Sequence, residues 1–343
     1  MMKVCIYGAG AIGGFIGTRL AAAGECTVAA VARGATLAAL REQGWRLRQG
    51  GQLFQATTQA VEDPRDLGVM DLVVVAVKGP ALEEVSRRMA PLLGPQTLVL
   101  PAMNGVPWWF AQSTPALGTQ PLRSVDPDGA IAAHIPLAQV LGCVVHASTF
   151  TPEPGLVEQR MGQGLIIGEP AGGVTPRVQA LAGLLARAGF DTTASANIRQ
   201  DIWYKLWGNM TINPVSALTG ATVDRIMADP LVLAFCSAAM QEAASIGARI
   251  GCAVLQSPED RHAVTRKLGR FKTSMQNDVE AGRAIELDAL VTVVREIAMR
   301  LDMATPNIDA LLGLTRLFAR VHGLYPEEVT GDATASAAAR RDD

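Results

Sequence analysis

One lysine and two asparagines recur every four residues in the segment 205–214, which reads KLWGNMTINP. They are Lys205, Asn209 and Asn213, and most residues around them are apolar. On an α-helix, four residues advance about 40° beyond a full turn, so the three side chains form one slowly winding polar stripe. A buried helix with such a stripe needs polar partners or a water-filled cleft. Taken alone, the spacing also allows a lysine that extends to solvent and two asparagines that bind loops.

Two further segments carry polar groups that could act with this stripe. In MNGV, Asn104 directly follows a predicted strand, and TSMQNDVEAGRAIELDAL contains Ser274 near a predicted helix start and Glu286 farther on. An ammonium can stabilise and then protonate the oxygen of a ketone as a hydride reaches its carbon. Burial lowers the pKa of a lysine and a nearby carboxylate raises it, so Lys205 and Glu286 together could set a pKa near neutrality. Glu286 as an ordinary surface acid is the alternative.

A glycine-rich turn at the N-terminus predicts a dinucleotide site. It reads GAGAIG, follows the predicted strand KVCIYG and opens a predicted helix. In this fingerprint the first glycine permits a tight turn, the second lets the backbone approach a diphosphate, and the third lets the helix pack on the strand. The candidate cofactor-binding residues are therefore Gly8, Ala9, Gly10, Ala11, Ile12 and Gly13.

The next two predicted strands end in basic residues rather than acids. NAD-binding folds usually place an acidic residue about 20 positions after the glycines, where this chain has Arg33. A guanidinium suits a 2′-phosphate, and Lys78 at the end of DLVVVAVK could supply a second cation. The alternative for both residues is a solvated surface charge. The pattern favours NADP(H) over NAD(H).

Strands and helices alternate through the first part of the chain, which predicts an α/β fold with a doubly wound Rossmann-type domain. Beyond about residue 195 the strand signals fade and amphipathic helices dominate. We therefore predict a nucleotide-binding domain at 1–195, an all-helical substrate and catalytic domain at 196–330, and a disordered tail at 331–343. Gly50 and Gly51 predict a hairpin turn, and Pro214 predicts a break or kink.

Composition limits the classes of partner and compartment. The 343 residues carry a net charge of −2, which gives no electrostatic case for nucleic acid or an anionic membrane. No apolar run approaches the roughly 18 residues of a membrane span, so no membrane partner is expected. Five scattered cysteines suit a reducing cytoplasm. The four histidines form no metal pattern, so no metal site is predicted, and the apolar helices could support a homodimer.

Together these segments resemble the ketopantoate reductase (2-dehydropantoate 2-reductase) family. The resemblance rests on the N-terminal GxGxxG, a VK pair at a strand end, the NGV loop, KLxxNxxxNP, and the segment SMQNDVEAGRAIELD. It covers the chain to about residue 310, and the lysine–asparagine helix with the serine–glutamate segment is its most specific part. It implies a Rossmann domain, an all-helical domain and an active site in the cleft between them.

The resemblance also implies roles for individual residues. Lys205 would be the general acid that protonates the C2 oxygen of the substrate, and Glu286 would orient the lysine or the reacting oxygen. Asn104 would bridge cofactor and substrate. Asn209 and Asn213 would bind the polar end of the substrate.

Three further residues complete this implied site. Ser274 would bind the substrate carboxylate, while Arg33 and Lys78 would recognise the 2′-phosphate of NADPH. The implied reaction is NADPH-dependent reduction of 2-dehydropantoate to pantoate, on the route to coenzyme A. The alternatives are a related oxidoreductase acting on another 2-keto or 2-hydroxy acid, and a non-catalytic dinucleotide sensor.

An unusual stretch at 107–139 departs from this family pattern. It begins with Trp108 and Trp109 and contains Asp126 and Asp128. Long loops are often lids or specificity elements, although a tolerated surface insertion is at least equally expected. A lid over the cleft would change which 2-keto acid is accepted.

Overall fold

A parallel five-stranded sheet forms the N-terminal core of the computed structural model, which describes residues 1–327. The predicted tail at 331–343 lies outside the described residues. Its strands are β1 (Met2–Tyr7), β2 (Cys26–Val31), β5 (Gln59–Val61), β6 (Met70–Val75) and β7 (Leu93–Pro101). They lie in the order β5-β2-β1-β6-β7. Helices α1 (Ala11–Ala23), α2 (Gly34–Gln43) and α3 (Leu82–Arg88) connect them.

Both faces of this sheet are buried, which explains the unbroken apolar runs of its strands. Val73 and Val75 belong to one core cluster, whereas Leu72 and Val74 belong to another. Successive side chains of a strand point to opposite faces, so the alternation shows that each face packs against its own apolar layer. The predicted doubly wound α/β fold is confirmed.

A second, mixed sheet packs on the other side of α1. It contains β3 (Trp45–Gln49), β4 (Gln52–Ala56), β8 (Gly142–Glu153), β9 (Leu156–Gly168) and β10 (Asp191–Ser195), with α5 (Pro176–Arg187) before β10. The hairpin turn predicted at Gly50–Gly51 joins β3 and β4, with φ of 55° and 81°. Glycines of α1 permit the close packing, since a Cβ on Gly14 would lie 2.5 Å from Val157 Cγ2. The sequence predicted the hairpin but not its pairing with β9.

From residue 198 to residue 327 all the regular secondary structure is helical. They are α6 (Ile198–Thr219), α7 (Val223–Ala228), α8 (Pro230–Arg249), α9 (Pro258–Arg266), α10 (Ser274–Glu280), a π-helical turn (Asp288–Thr292), α11 (Val293–Arg300) and α12 (Pro306–Val321). Helix α6 lies at the centre. Its Trp203 and Trp207 indoles donate to the carbonyls of Ala243 and Met240 on α8, at 3.2 and 2.7 Å.

The expected break at Pro214 was wrong, because α6 continues through it to Thr219. Proline fixes φ near the helical value, and its cost comes from the missing N–H and ring crowding. Ile212, Pro214 and Val215 are buried, so tertiary packing keeps the chain helical through this position.

The stretch at 107–139 is packed into the core and is not an exposed lid. Trp108, Trp109 and Phe110 are buried, and the Phe110 ring stacks on Trp203 of α6 with centroids 6.3 Å apart. Buried Asp126 accepts backbone N–H bonds at the start of α4 (Ala130–His134), so it serves as a helix cap. These buried contacts do not fit the alternative of a tolerated surface insertion either, and the segment instead forms part of the core.

Helix α8 contradicts the expectation that no apolar run reaches the length of a membrane span. Within residues 1–327 it is the one helix whose length and composition pass that test, with a mean hydropathy of 1.4. This is weak evidence, because core helices pass the same test. One face of α8 packs against α6 through buried Ala239, Met240 and Ala243, which gives its apolar character a role in the core.

Candidate active site

The glycine-rich turn between β1 and α1 has the geometry of a diphosphate cradle. Gly8 has φ of 96°, and a Cβ there would lie 2.8 Å from the carbonyl oxygen of Ala76. A Cβ on Gly13 would lie 2.0 Å from the Gly8 oxygen. Gly10, by contrast, faces open space and precedes α1 without a capping side chain. Open space above uncapped N–H groups fits a diphosphate.

Arg33 and Lys78 both follow strands of the parallel sheet, but the structure does not bring them together. They extend from β2 and β6, which flank β1 on opposite sides. The Arg33 side chain is exposed and forms no hydrogen bond or ion pair within residues 1–327. The Lys78 ammonium pairs with Asp278 of α10 at 2.6 Å. Arg33 is thus free for an anion, whereas Lys78 is directed toward the helical part.

Lys205 projects from α6 onto two oxygen atoms of the N-terminal part. Its ammonium donates to Asn104 Oδ1 at 2.8 Å and to the Val145 carbonyl at 2.7 Å. Desolvation lowers the pKa of Lys205 to about 8, with the Arg261 cation acting in the same direction and Glu286 opposing it. At this pKa the lysine carries a proton at neutral pH and releases it readily. The structure therefore joins two residues that the sequence separates by 101 positions.

Glu286 approaches the same region from the helical part, but it is not on the helix that carries Ser274. Helix α10 ends at Glu280, and Gly282 follows with φ of 62°. The Glu286 carboxylate accepts the N–H of Gly79, next to Lys78, at a long 3.4 Å. Burial raises its pKa, which Gly79 and nearby Lys78 and Lys205 partly offset. No direct hydrogen bond joins Glu286 and Lys205 within the described residues.

The two asparagines of the polar stripe and Ser274 differ in exposure, since Asn213 is buried. Within residues 1–327, the side chains of Asn209, Asn213 and Ser274 form no hydrogen bond with the protein, and Ser274 is exposed. Helix α10 is held against α6 by a 2.5 Å bond between the hydroxyls of Thr273 and Ser216. This contact brings the start of α10 to the same helix that carries the two asparagines.

Sequence reasoning missed three contributors to this region. Asp278 was given no site role, yet it is buried and pairs with both Lys78 and Arg283. The Val145 carbonyl contributes through the backbone, which no residue type could reveal. Arg261 also bears on the pKa of Lys205. Only the position of Asp278 inside the SMxxD segment offered a signal.

A cavity of about 360 Å³ adjoins this cluster. Asn104 and Glu286 form part of its wall, beside Cys143, and the rest of the lining is largely apolar. Trp108 and Trp109 of the 107–139 stretch contribute to that apolar lining. Polar groups at one wall and an apolar interior are typical of a small-molecule site.

Two family models match most of the chain. The N-terminal model of the ketopantoate reductases (PanE/ApbA) matches residues 4–172, and the C-terminal model matches residues 197–319. A 2-dehydropantoate 2-reductase from Mesorhizobium japonicum is 41% identical over 94% of this chain and 100% of its own.

Solved structures extend the similarity to the whole architecture. A crystal structure assigned as a ketopantoate reductase, from Ralstonia solanacearum MolK2, is 54% identical over 95% of this chain and 100% of its own, with a TM-score of 0.90. A D-mandelate dehydrogenase with NADH and anilino(oxo)acetate shares the fold, with 19% identity over 94% of this chain and 100% of its own and a TM-score of 0.80. The chain thus belongs to the ketopantoate reductase family and is an NADP-dependent oxidoreductase.

Proposed function

We propose that the chain reduces a 2-keto acid with NADPH, with 2-dehydropantoate as the first candidate and Lys205 as general acid. The observation that carries this proposal is the desolvated Lys205 ammonium, held by Asn104 and the Val145 carbonyl with a pKa of about 8. The relatives named 2-dehydropantoate 2-reductase support the choice of substrate. A sensor would need no such proton donor.

The residues present fit a bound NADPH. The turn from Gly8 to Gly13 would hold the diphosphate at the start of α1, and exposed Arg33 would bind the 2′-phosphate. The nicotinamide would supply the hydride. Lys78, which pairs with Asp278, would instead help to join the two parts of the chain.

The proton chemistry follows from the surroundings of Lys205. Charge that develops on the ketone oxygen is stabilised by the ammonium, which then donates its proton. Asn104 and Val145 fix the ammonium through hydrogen bonds without neutralising it, since amide and carbonyl oxygens carry no net charge. Glu286 supports the protonated lysine electrostatically. Asn209, Asn213 and Ser274 would bind the hydroxyl and carboxylate of the substrate.

A panel of small 2-keto acids tests this proposal directly. NADPH oxidation should depend on the keto acid, and 2-dehydropantoate should give the highest kcat/KM. The proposal fails as a whole if no member of a broad panel is reduced, and the named substrate fails if another keto acid is clearly preferred.

The cavity favours a second candidate, a 2-keto acid with a larger apolar side chain. Its apolar lining, which includes Trp108 and Trp109, could accept a group bulkier than the dimethyl centre of 2-dehydropantoate. The same panel decides between the candidates when branched and aromatic keto acids are included.

We also propose that the protein acts in the cytoplasm as a homodimer. All five cysteines are free and buried, which suits a reducing compartment. An exposed apolar stripe on α12, formed by Leu314, Leu317 and Val321, supports association of two copies.

A further inference from the structure

Arg261 presents a guanidinium beside the polar stripe with no carboxylate partner in the described part of the chain. It lies on α9, and its Cζ sits 5.2 Å from the ring centroid of Tyr204 on α6. Its Nε is buried without a hydrogen-bond partner. Within residues 1–327 the side chain forms no ion pair. A buried, unpaired guanidinium nitrogen is costly unless a ligand satisfies it.

Helix α6 is shaped around this guanidinium. Gly208 interrupts a buried helix where alanine would be favoured by about 1 kcal/mol. A Cβ at Gly208 would lie 2.4 Å from Arg261 Nε, so any larger residue would displace the arginine. Glycine at position 208 therefore leaves room for the Arg261 guanidinium.

The location of Arg261 places it near the reacting groups. Tyr204 and Gly208 precede Lys205 and Asn209 by one residue each, so the arginine lies along the flank of the polar stripe. Its charge also contributes to lowering the pKa values of Lys205 and His146. Lys205 and Arg261 have no ionised partner in contact among residues 1–327, and together they create a positive region that suits an anion.

We infer that Arg261 binds the carboxylate of the 2-keto acid together with Ser274, which makes the arginine a specificity-determining residue for the proposed reaction. Guanidinium and carboxylate form two parallel hydrogen bonds, which fixes the orientation of the substrate as well as its charge. The ketone carbon adjoins that carboxylate, so an anchor here would hold the reacting oxygen toward Lys205. This inference rests on the proposed function, and it names the charged group that selects acids over neutral ketones.

Kinetics of Arg261→Met and Arg261→Lys test the assignment. In Arg261→Met, the KM for the preferred 2-keto acid should rise about 30- to 100-fold, as expected for loss of a charged hydrogen-bonded pair, with a smaller change in kcat. Arg261→Lys should restore part of the loss. Arg266→Met, on the exposed side of the same helix, is the matched control and should keep wild-type values.

A neutral substrate separates carboxylate recognition from a structural role. The wild type should prefer the 2-keto acid over its methyl ester, and Arg261→Met should lose that preference while its NADPH Kd and unfolding temperature stay unchanged. An unchanged KM with a retained preference for the acid overturns the inference, as does weaker NADPH binding in place of weaker substrate binding.

The two proposals fail in distinguishable ways. If the wild type reduces keto acids but Arg261→Met behaves like the wild type, only the role of Arg261 is wrong. If the wild type reduces no keto acid, the proposed function is wrong. In that case, calorimetric titration with oxamate tests whether Arg261 binds an anion. Equal oxamate affinity in the wild type and Arg261→Met would refute this role, and weaker oxamate affinity in the variant would support it.

Discussion

At the scale of single residues, the main feature of this site is the Lys205 ammonium, which is shielded from water. Lys205 is bound by neutral oxygens of Asn104 and Val145, while Glu286 lies near enough to act on its pKa without a direct bond. A direct carboxylate partner would raise the lysine pKa, whereas neutral partners leave desolvation dominant. The arrangement therefore fits the proposed role of the ammonium as a proton donor.

Replacement of Lys205 should separate chemistry from binding. We expect Lys205→Ala to lower kcat by about 10²- to 10⁴-fold, because the proton donor is lost, with little change in NADPH affinity. In the wild type, kcat/KM should fall as pH rises through about 8, where the ammonium loses its proton. Exposed Lys267→Ala serves as the control. A wild-type pH profile in Lys205→Ala would contradict the assignment.

Arg33 should determine the preference of the enzyme for NADPH over NADH. In Arg33→Ala the KM for NADPH should rise about 10- to 100-fold, because the 2′-phosphate loses its cation, while the KM for NADH stays the same. The control is Arg187→Ala, whose ion pair with Glu25 lies before β2, at the opposite edge of the sheet. Equal losses with both cofactors would indicate a structural role for Arg33.

At the scale of secondary-structure elements, the turn from β1 into α1 shows two different uses of glycine. Gly13 is enclosed by protein, since its Cβ would meet the Gly8 oxygen at 2.0 Å, whereas Gly10 faces open space. Gly10 also has φ of −77°, which other residues adopt freely. Gly13 is therefore needed for folding, whereas Gly10 leaves space for a nucleotide.

Alanine at these two positions should therefore give opposite results. Gly13→Ala should lower the free energy of unfolding by about 1–3 kcal/mol or more through overpacking. Gly10→Ala should leave stability within about 0.5 kcal/mol but weaken NADPH binding about tenfold or more. Thermal unfolding and NADPH fluorescence titration measure both effects. Wild-type NADPH affinity in Gly10→Ala would show that the diphosphate does not approach this residue.

At the scale of the whole molecule, the candidate site exists only because two parts of the chain meet. Asn104 and Val145 come from the strand-containing part, whereas Lys205 comes from the helical part. The Lys78–Asp278 ion pair and the Gly79–Glu286 hydrogen bond add further contacts between them. The outer surface carries one more feature, an apolar stripe on α12 formed by Leu314, Leu317 and Val321.

This stripe should mediate a homodimer. Its three side chains are 61%, 62% and 74% exposed and share a helix face, which suits burial against a second copy. Light scattering after gel filtration should give twice the chain mass of 36.1 kDa. The double variant Leu317→Glu with Val321→Glu should be monomeric, and Leu255→Glu, exposed elsewhere, should stay dimeric. A monomeric wild type at micromolar concentration would exclude the interface.

The local sequence pattern was enough to predict much of the fold and several residues of the candidate site. The alternation of strands and helices, the glycine turn and the stripe of Lys205, Asn209 and Asn213 depend on residues close in sequence, so spacing and backbone preferences suffice to predict them. The same local logic failed at Pro214, because burial around α6 outweighs the intrinsic preference of proline.

Only the tertiary structure decided which distant groups meet. It placed the Lys205 ammonium on Asn104 and Val145, paired Lys78 with Asp278, and buried Trp108 and Trp109 in the core. It also set Arg261 against Gly208. These outcomes depend on desolvation and on packing between segments far apart in the chain, and neither can be read from residue spacing.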